Sequence, residues 1–251
     1  MAGDHTQIPK SILKGFCDKN KKVYGVNRSG KIEQYLISTV NAEKEYYNDF
    51  VERKVLAERE SRFGNIKKKI IDCAKGKANI NYNSEINEEI LDFFYISMFR
   101  SEQLIKEIQE NSIAMALIDE KPQNIVLSYY ERCIPEVKKI FPNYHFNIMK
   151  NNSSIDFIIP QKMFYGLKKE NESMFFMPIS SKIAITLNSN IEPYIKDDLI
   201  LMQELNDDEQ VDTLNKLAIK REFDYNNKIV YAEKKETLER YIDFIKSYSN
   251  I

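Results

Sequence analysis

Glycine, cysteine and histidine are scarce in this 251-residue chain, which has 7 glycines, 3 cysteines, 2 histidines and no tryptophan. No GxGxxG or GxxxxGK[ST] stretch is present, so the common glycine-rich loops that hold nucleotide phosphates are not supported. No HExxH stretch occurs, which excludes the simplest zinc-protease site. The cysteines, Cys17, Cys73 and Cys133, are far apart and form no CxxC pair. Such spacing is typical of reduced thiols in a cytosolic protein.

The chain also lacks an excess of charge and a long apolar run. Its 37 lysines and arginines balance 38 acidic residues, for a formal net charge of −1. This balance argues against a basic nucleic-acid coat, although it permits a local basic groove. The first ten residues lack the apolar centre of a signal peptide, and no apolar run approaches the length of a membrane span. We therefore expect a cytoplasmic protein without a membrane partner.

Apolar residues make up 43% and charged residues 30% of the chain, which is ordinary for a globular protein. Two runs of alternating apolar residues flank Asn27–Gly30 and predict a β-hairpin near the N-terminus. The pattern then predicts helices from Ala42 to about Lys75, over 86–109, and from Pro122 to about Phe141.

Residues 144–187 change character, because short apolar runs alternate there with polar breaks. They predict a small antiparallel sheet. Helices near 208–222 and 234–248 follow, with a short strand, "KIVYA", between them. Clustered strands and separate runs of helices are typical of an α+β fold, and we expect a mostly helical single domain over 1–251.

Several stretches, in the right order over most of the chain, resemble the domain-of-unknown-function family 4238, whose proteins are mainly prokaryotic. The opening "HTQIPKSILKGF" resembles that family's histidine, Ile/Val-Pro, leucine and phenylalanine. The stretches "KVYGVNRSGKI", "AEKEYY", "LAERESRF", "ISMFRSEQL", "PISSKIAITL" and "VDTLNKLAIKRE" resemble later family motifs. The resemblance implies these motif residues: His5, Glu43, Tyr47, Glu60, Arg100 and Asn215.

One stretch departs from the family. Relatives commonly carry "fitSDnP", whose aspartate is a candidate site residue, but here Pro160 and Gln161 occupy the Ser-Asp region. Asp156 lies nearby but requires a shifted alignment. If that aspartate is essential in relatives, this protein is inactive or uses another carboxylate.

Helical geometry gives an independent reason to single out three of these residues. At about 100° per residue, Glu60 falls inside the apolar arc that contains Leu56 and Phe63. Arg100 lies at the edge of the next helix's apolar face, and Asn215 shares a face with apolar residues of a later helix. A buried charge costs several kcal/mol unless it is paired, so we expect Glu60 and Arg100 to share one polar pocket. The apolar residues that follow His5 would dock it at the same place.

Three interpretations of this polar set stay open. In the first, the residues form a structural network that fixes helix packing. In the second, they form a ligand or catalytic site. In the third, their position on apolar helix faces is incidental. A run of three lysines, Lys67–Lys69, is interpreted as a solvated helix face.

The site interpretation predicts a metal-dependent hydrolase or nuclease acting on a nucleotide or nucleic acid. Arg100 would bind phosphate, and His5 would act as acid or base. Glu60 would serve as base or, with Glu43, hold Mg²⁺ or Mn²⁺. The alternative is a non-catalytic module that binds a ligand or a partner protein in a bacterial stress or defence system.

Overall fold

The computed structural model of the protein describes residues 4–6, 8–40, 42–44, 46–110, 120–140, 143–169, 172–189, 192–226 and 229–249. Helices and separate sheets fill these ranges, which confirms the α+β class. The predicted single-domain organisation stays a prediction.

The helices of the described ranges are mostly short, apart from three of 16 to 19 residues. A π-helical segment, Val51–Leu56, runs directly into α2. None of these helices combines the length and apolar content needed to cross a membrane. Their bounds are α1 Lys10–Leu13, α2 Ala57–Ala74, α3 Ser84–Phe99, α4 Glu102–Glu110, α5 Pro122–Ser128, α6 Tyr130–Ile140, α7 Asp208–Asn226, α8 Lys235–Glu239 and α9 Ile242–Ser249.

The strands form two larger sheets and two strand pairs. The first sheet has the order β12-β5-β9-β8-β7, and the second has the order β3-β2-β13-β6. The pairs are β1-β4 and β10-β11. Strand bounds are β1 Asp4–Thr6, β2 Lys22–Val26, β3 Ile32–Leu36, β4 Ala42–Lys44, β5 His145–Asn151, β6 Ile159–Pro160, β7 Tyr165–Lys169, β8 Glu172–Ser180, β9 Ile183–Asn188, β10 Ile195–Lys196, β11 Leu199–Ile200, β12 Met202–Leu205 and β13 Val230–Ala232.

The predicted N-terminal hairpin is present as β2 and β3. The Asn27 side chain accepts hydrogen bonds from the backbone N–H groups of Ser29 and Lys31, both at 3.1 Å. Gly30 follows with φ +80°, in the left-handed region that glycine enters without steric cost. This local chemistry fixes the turn, so the hairpin was predictable from sequence.

The sheet predicted over 144–187 is also present, with one added strand. Strand β12 joins it in parallel beside β5, and this pairing has no signature in the local sequence. The predicted late strand is β13, which pairs with β2 and with the short β6 of the second sheet. The second sheet therefore joins segments from the start, middle and end of the chain.

The first predicted helix begins later than expected. Ala42–Lys44 form β4, which pairs antiparallel with β1, and helical structure starts only near Val51. The charged stretch after Ala42 suits a helix locally, but pairing with a distant strand overrides that local preference.

The buried apolar residues form one contiguous cluster that extends from α1 to α9. Phe63 of α2 stacks on Phe93 of α3, with ring centroids 3.8 Å apart. Phe94 of α3 contacts Phe164 and Phe175, which belong to the region of the first sheet, at centroid distances of 4.7 and 4.8 Å. Helix α3 is thus held between α2 and this sheet, and that packing sets the position of its last residues.

Candidate functional site

Arg100, Glu60 and Tyr47 meet in one hydrogen-bonded group, which we call the Arg100 cluster. Arg100 Nη1 lies 2.6 Å from Glu60 Oε1, and Arg100 Nε donates to the Tyr47 hydroxyl at 3.2 Å. The guanidinium also lies over the Tyr47 ring, 5.5 Å from its centroid. The Glu60–Arg100 contact that the sequence predicted is therefore present.

Three separate elements bring these side chains together. Arg100 caps the C-terminal end of α3, where a cation is favoured by the negative end of the helix dipole. Glu60 lies one turn before Phe63, on the face of α2 that packs on α3. Tyr47 comes from the segment that joins β4 to the π-helical segment. The α2–α3 packing thus sets the distance between the two charges.

In the Arg100 cluster the arginine side chain is buried, whereas the glutamate side chain is partly exposed to solvent. Arg100 exposes 4% of its side chain and Glu60 exposes 29%. Burial alone would lower the pKa of Arg100, but Tyr47 and Glu60 raise it above its ordinary value. Burial also raises the pKa of Tyr47, so its hydroxyl stays neutral and accepts from Arg100. The result is a fixed cation that holds one carboxylate at the edge of solvent.

This geometry changes the role expected for Arg100. A phosphate-binding arginine needs a free fork of N–H groups, whereas this guanidinium is buried and engaged by Glu60 and Tyr47. Arg100 is placed to orient Glu60, which leaves Glu60 as the member of the pair that solvent can reach.

His5 and Glu43 are brought together by the pairing of β1 and β4. They stand directly opposite each other in the strand register, and Glu43 precedes Tyr47 by four residues. Their backbone positions are described, while their side chains lie outside what the structure describes. The backbone alone therefore places two motif positions opposite each other, and one of them, Glu43, is four residues before Tyr47 of the Arg100 cluster.

Asn215 belongs to a different network. Its side chain accepts from the Ile158 N–H at 3.1 Å and donates to the Asp156 carbonyl and the Tyr241 hydroxyl, at 2.9 and 3.0 Å. It is 1% exposed. These bonds tie α7 and the C-terminal segment to the strand region, and within the described ranges none of them involves Glu60 or Arg100.

The stretch that departs from the family pattern is buried. Pro160 lies in β6 opposite Val230, and Gln161 is 7% exposed. The nearby carboxylate, Asp156, is 3% exposed and pairs with Lys182 at 2.9 Å and Lys234 at 2.8 Å. Asp156 is thus committed to two lysines.

Metal ligands were predicted at Glu43 and Glu60. Within the described ranges, no three His, Cys, Asp or Glu side chains are grouped closely enough to hold a metal ion. The Glu43 side chain is outside those ranges, so the predicted Mg²⁺ or Mn²⁺ site stays a prediction.

Sequence reasoning missed the environment of one lysine. Lys67 is 4% exposed and donates to the carbonyl oxygens of Ser11 and Ile12, at 2.6 and 3.0 Å. The interpretation of Lys67–Lys69 as a solvated face is wrong for Lys67, although Lys68 and Lys69 are exposed. Lys67 stands four residues after the buried Phe63, a helical spacing that places it on the buried face.

Comparison with known proteins identifies the family of this chain but no individual related protein. No curated protein and no solved structure matches the chain. The profile of the family described as "Protein of unknown function (DUF4238)" matches residues 5–236, which is most of the chain. The matched range begins at His5 and includes every residue of the Arg100 cluster. The protein therefore belongs to the DUF4238 family.

Proposed function

We propose that the protein is a cytoplasmic, prokaryotic enzyme that hydrolyses a phosphate-containing substrate, a nucleotide or a nucleic acid, with Glu60 at the centre of its active site. One observation supports this proposal above the others. Motif residues from separate parts of the chain meet around a single carboxylate that is fixed by Arg100 and reaches solvent.

The positions of His5 and Glu43 extend this argument. Glu43 is four residues from Tyr47, so their Cα atoms are at most about 14 Å apart. Tyr47 in turn contacts Arg100. A purely structural Glu–Arg pair between two helices does not require motif residues on the β1–β4 strand pair.

Each residue has a definite role in the proposed hydrolysis. Glu60 accepts a proton from water as the water oxygen attacks phosphorus, and His5 gives a proton to the oxygen that leaves when the P–O bond breaks. Arg100 is a positioning residue that orients the Glu60 side chain, and Tyr47 holds Arg100 in place. Asn215 has no part in this chemistry, because its bonds stabilise a different region.

The proposal assigns Mg²⁺ or Mn²⁺ to Glu60 and Glu43. Magnesium is commonly bound by one or two carboxylates, with water and substrate phosphate completing its shell, so two glutamates are a sufficient donor set. When bound, the ion would neutralise charge on the phosphate group.

A second candidate function is favoured by the burial of Arg100. A guanidinium already engaged by Glu60 and Tyr47 is typical of a structural clamp. In that case the protein is a non-catalytic module that binds a ligand or a partner protein.

Mn²⁺ titration with a matched pair of variants separates the two functions. Glu60→Gln keeps the side-chain shape but removes the charge, and Glu58→Gln removes a charge from an exposed site two residues away. The enzyme proposal expects Mn²⁺ to bind wild type and Glu58→Gln, and to bind Glu60→Gln about tenfold or more weakly. Equal Mn²⁺ affinity in all three proteins would favour the non-catalytic module.

A further inference from the structure

A large cleft opens near the opposite end of α2 from Glu60. Its volume is about 700 Å³, and it is lined by residues that include Lys14, Lys75, Lys150, Lys182 and Glu233. We call it the lysine cleft. Lys75, the C-cap of α2, comes 15 residues after Glu60. At the helical rise per residue, the two positions are about 22 Å apart along the helix axis. The lysine cleft and the Arg100 cluster are therefore separate sites.

The four lysines reach the lysine cleft from four segments of the chain. Lys14 caps α1, Lys75 caps α2, Lys150 lies in β5 and Lys182 lies in the turn between β8 and β9. A solvated helix face would present lysines from one element to open water. Here the fold collects them around one concave space.

Positive charge in the lysine cleft is only partly balanced. Lys182 pairs with the buried Asp156 at 2.9 Å, and Lys150 lies 3.9 Å from Glu204. Glu233 accepts a hydrogen bond from Ser181 at 2.6 Å. Across the ranges that the structure describes, neither Lys14 nor Lys75 forms an ion pair with a carboxylate.

Collecting ammonium groups around a concave site raises the positive potential there and favours the binding of an anion. Like charges repel, and the low-dielectric walls of a cleft strengthen the field that an incoming anion meets. A ligand with two or more negative charges would interact favourably with Lys14 and Lys75 together.

The remaining walls indicate that the ligand has an organic part. Ser153, Ser180 and Asn152 supply neutral polar groups, while Ile71, Ala74 and Ile183 supply apolar surface. A volume of about 700 Å³ is within the usual range for small-molecule sites and far exceeds the needs of one phosphate ion.

We propose that the lysine cleft binds a small organic phosphate with two or more negative charges, such as a nucleoside diphosphate. This site is additional to the proposed catalytic site at Glu60. Lys14 and Lys75 contact the phosphates, and Ile71, Ala74 and Ile183 contact the organic part.

Isothermal titration with ADP, inorganic pyrophosphate and adenosine tests this proposal. The test variant is the double substitution Lys14→Gln/Lys75→Gln, which alters two exposed side chains and leaves Asp156 with both of its lysines. The control is Lys68→Gln/Lys69→Gln, which removes the same charge from an exposed part of α2 outside the cleft.

In buffer with EDTA, where the metal-dependent Glu60 site lacks its ion, we expect one ADP per chain, bound more tightly than pyrophosphate, with no detectable binding of adenosine. The Lys14/Lys75 double variant should weaken ADP binding about tenfold or more, while the control changes it less than about twofold. Higher salt should weaken binding to wild type, because the contacts to phosphate are ionic.

No saturable ADP binding by wild type, or an equal loss of binding in the two double variants, would overturn the lysine cleft as a ligand site. If Glu60→Gln abolished ADP binding and the Lys14/Lys75 variant did not, the nucleotide would occupy the Glu60 site, and only the cleft proposal would fail.

Discussion

At the residue scale, Lys67 is a buried lysine that donates to two backbone carbonyl oxygens at the end of α1. In the part of the chain that the structure describes, it has no carboxylate partner. Burial lowers the pKa of Lys67 from 10.5 to about 7; a smaller effect of Cys17 raises this pKa, and a smaller effect of Lys14 lowers it further. The neutral amine is thus the form that the folded protein prefers above that pH.

This pKa makes stability depend on pH in a definite direction. Between about pH 7 and 10.5 the unfolded chain protonates Lys67 more than the folded protein does, so the free energy of unfolding rises with pH. The contribution is about 5 kcal/mol over the whole window. Lys67→Met removes it, so the variant should gain stability relative to wild type near pH 7 and lose that advantage near pH 10.

Urea unfolding of wild type and Lys67→Met at several pH values measures this difference. Other titrating groups cancel in the comparison because both proteins share them. A stability difference that stays constant from pH 7 to 10 would show that Lys67 is protonated when folded.

The Glu60–Arg100 pair gives a second prediction at this scale. Glu60→Ala removes the carboxylate partner of a buried cation and should cost about 3 kcal/mol of stability. Glu60→Gln keeps an acceptor for Arg100 and should cost about 1 kcal/mol. The double variant Glu60→Met/Arg100→Met leaves no charge to compensate, so it should be more stable than the sum of the single changes predicts.

Denaturant unfolding of Glu60→Met, Arg100→Met and the double variant completes this cycle. Strictly additive losses would mean that the two side chains do not interact in solution. That outcome would remove the physical basis for Arg100 as the residue that orients Glu60.

At the element scale, the close approach of α1 to β8 depends on Gly15. A Cβ atom at Gly15 would overlap the Ile179 carbonyl oxygen and lie 2.9 Å from Lys67 Nζ. The Gly15 carbonyl also accepts from the Ser181 N–H at 3.1 Å. Backbone-to-backbone contact of this kind leaves no flexible group to move aside.

Gly15→Ala should therefore destabilise the protein by about 1–3 kcal/mol, because α1 must shift from the sheet. Gly64 in α2 offers a matched control, since the nearest atom to a Cβ there is 4.0 Å away. Gly64→Ala should stabilise the protein by about 0.5–1 kcal/mol through helix propensity. Thermal unfolding of both variants measures the two effects, and a loss at Gly64 as large as at Gly15 would contradict this explanation.

Asn215 connects α7 to the segment before β6, and its effect should be on stability alone. Asn215→Ala leaves the buried Ile158 N–H and Asp156 carbonyl without this partner, at a cost of about 2–4 kcal/mol. Asn215→Asp keeps the acceptor for Ile158 but loses both donations, so it should also destabilise. Chemical denaturation gives these values, and a fully stable Asn215→Ala variant would contradict a structural role.

At the scale of the whole molecule, α2 holds the two proposed sites near its opposite ends. The α+β class, the hairpin and the Glu60–Arg100 contact were predictable, because each follows from local periodicity or from the cost of an unpaired buried charge. Helical periodicity places Glu60 and Asn215 on apolar faces equally well. It does not say which neighbouring element each face meets, and that is why the two residues belong to different networks.

The remaining features depend on pairing between distant segments. The β1–β4 pair places His5 opposite Glu43, although the sequence around Ala42 is charged and suits a helix. The lysines of the lysine cleft come from four segments that are unremarkable individually. No local sequence pattern encodes these contacts between distant segments, since they follow from the order of strands in the sheets.

Phosphate release from nucleoside triphosphates in the presence of Mg²⁺ or Mn²⁺ tests the central claim, that Glu60 is the centre of an active site, most directly. We expect wild type and Glu58→Gln to release phosphate at similar rates, and Glu60→Gln to be slower by about a hundredfold or more while remaining folded. Equal rates for Glu60→Gln and wild type, or no turnover of any phosphate ester by wild type, would contradict the claim.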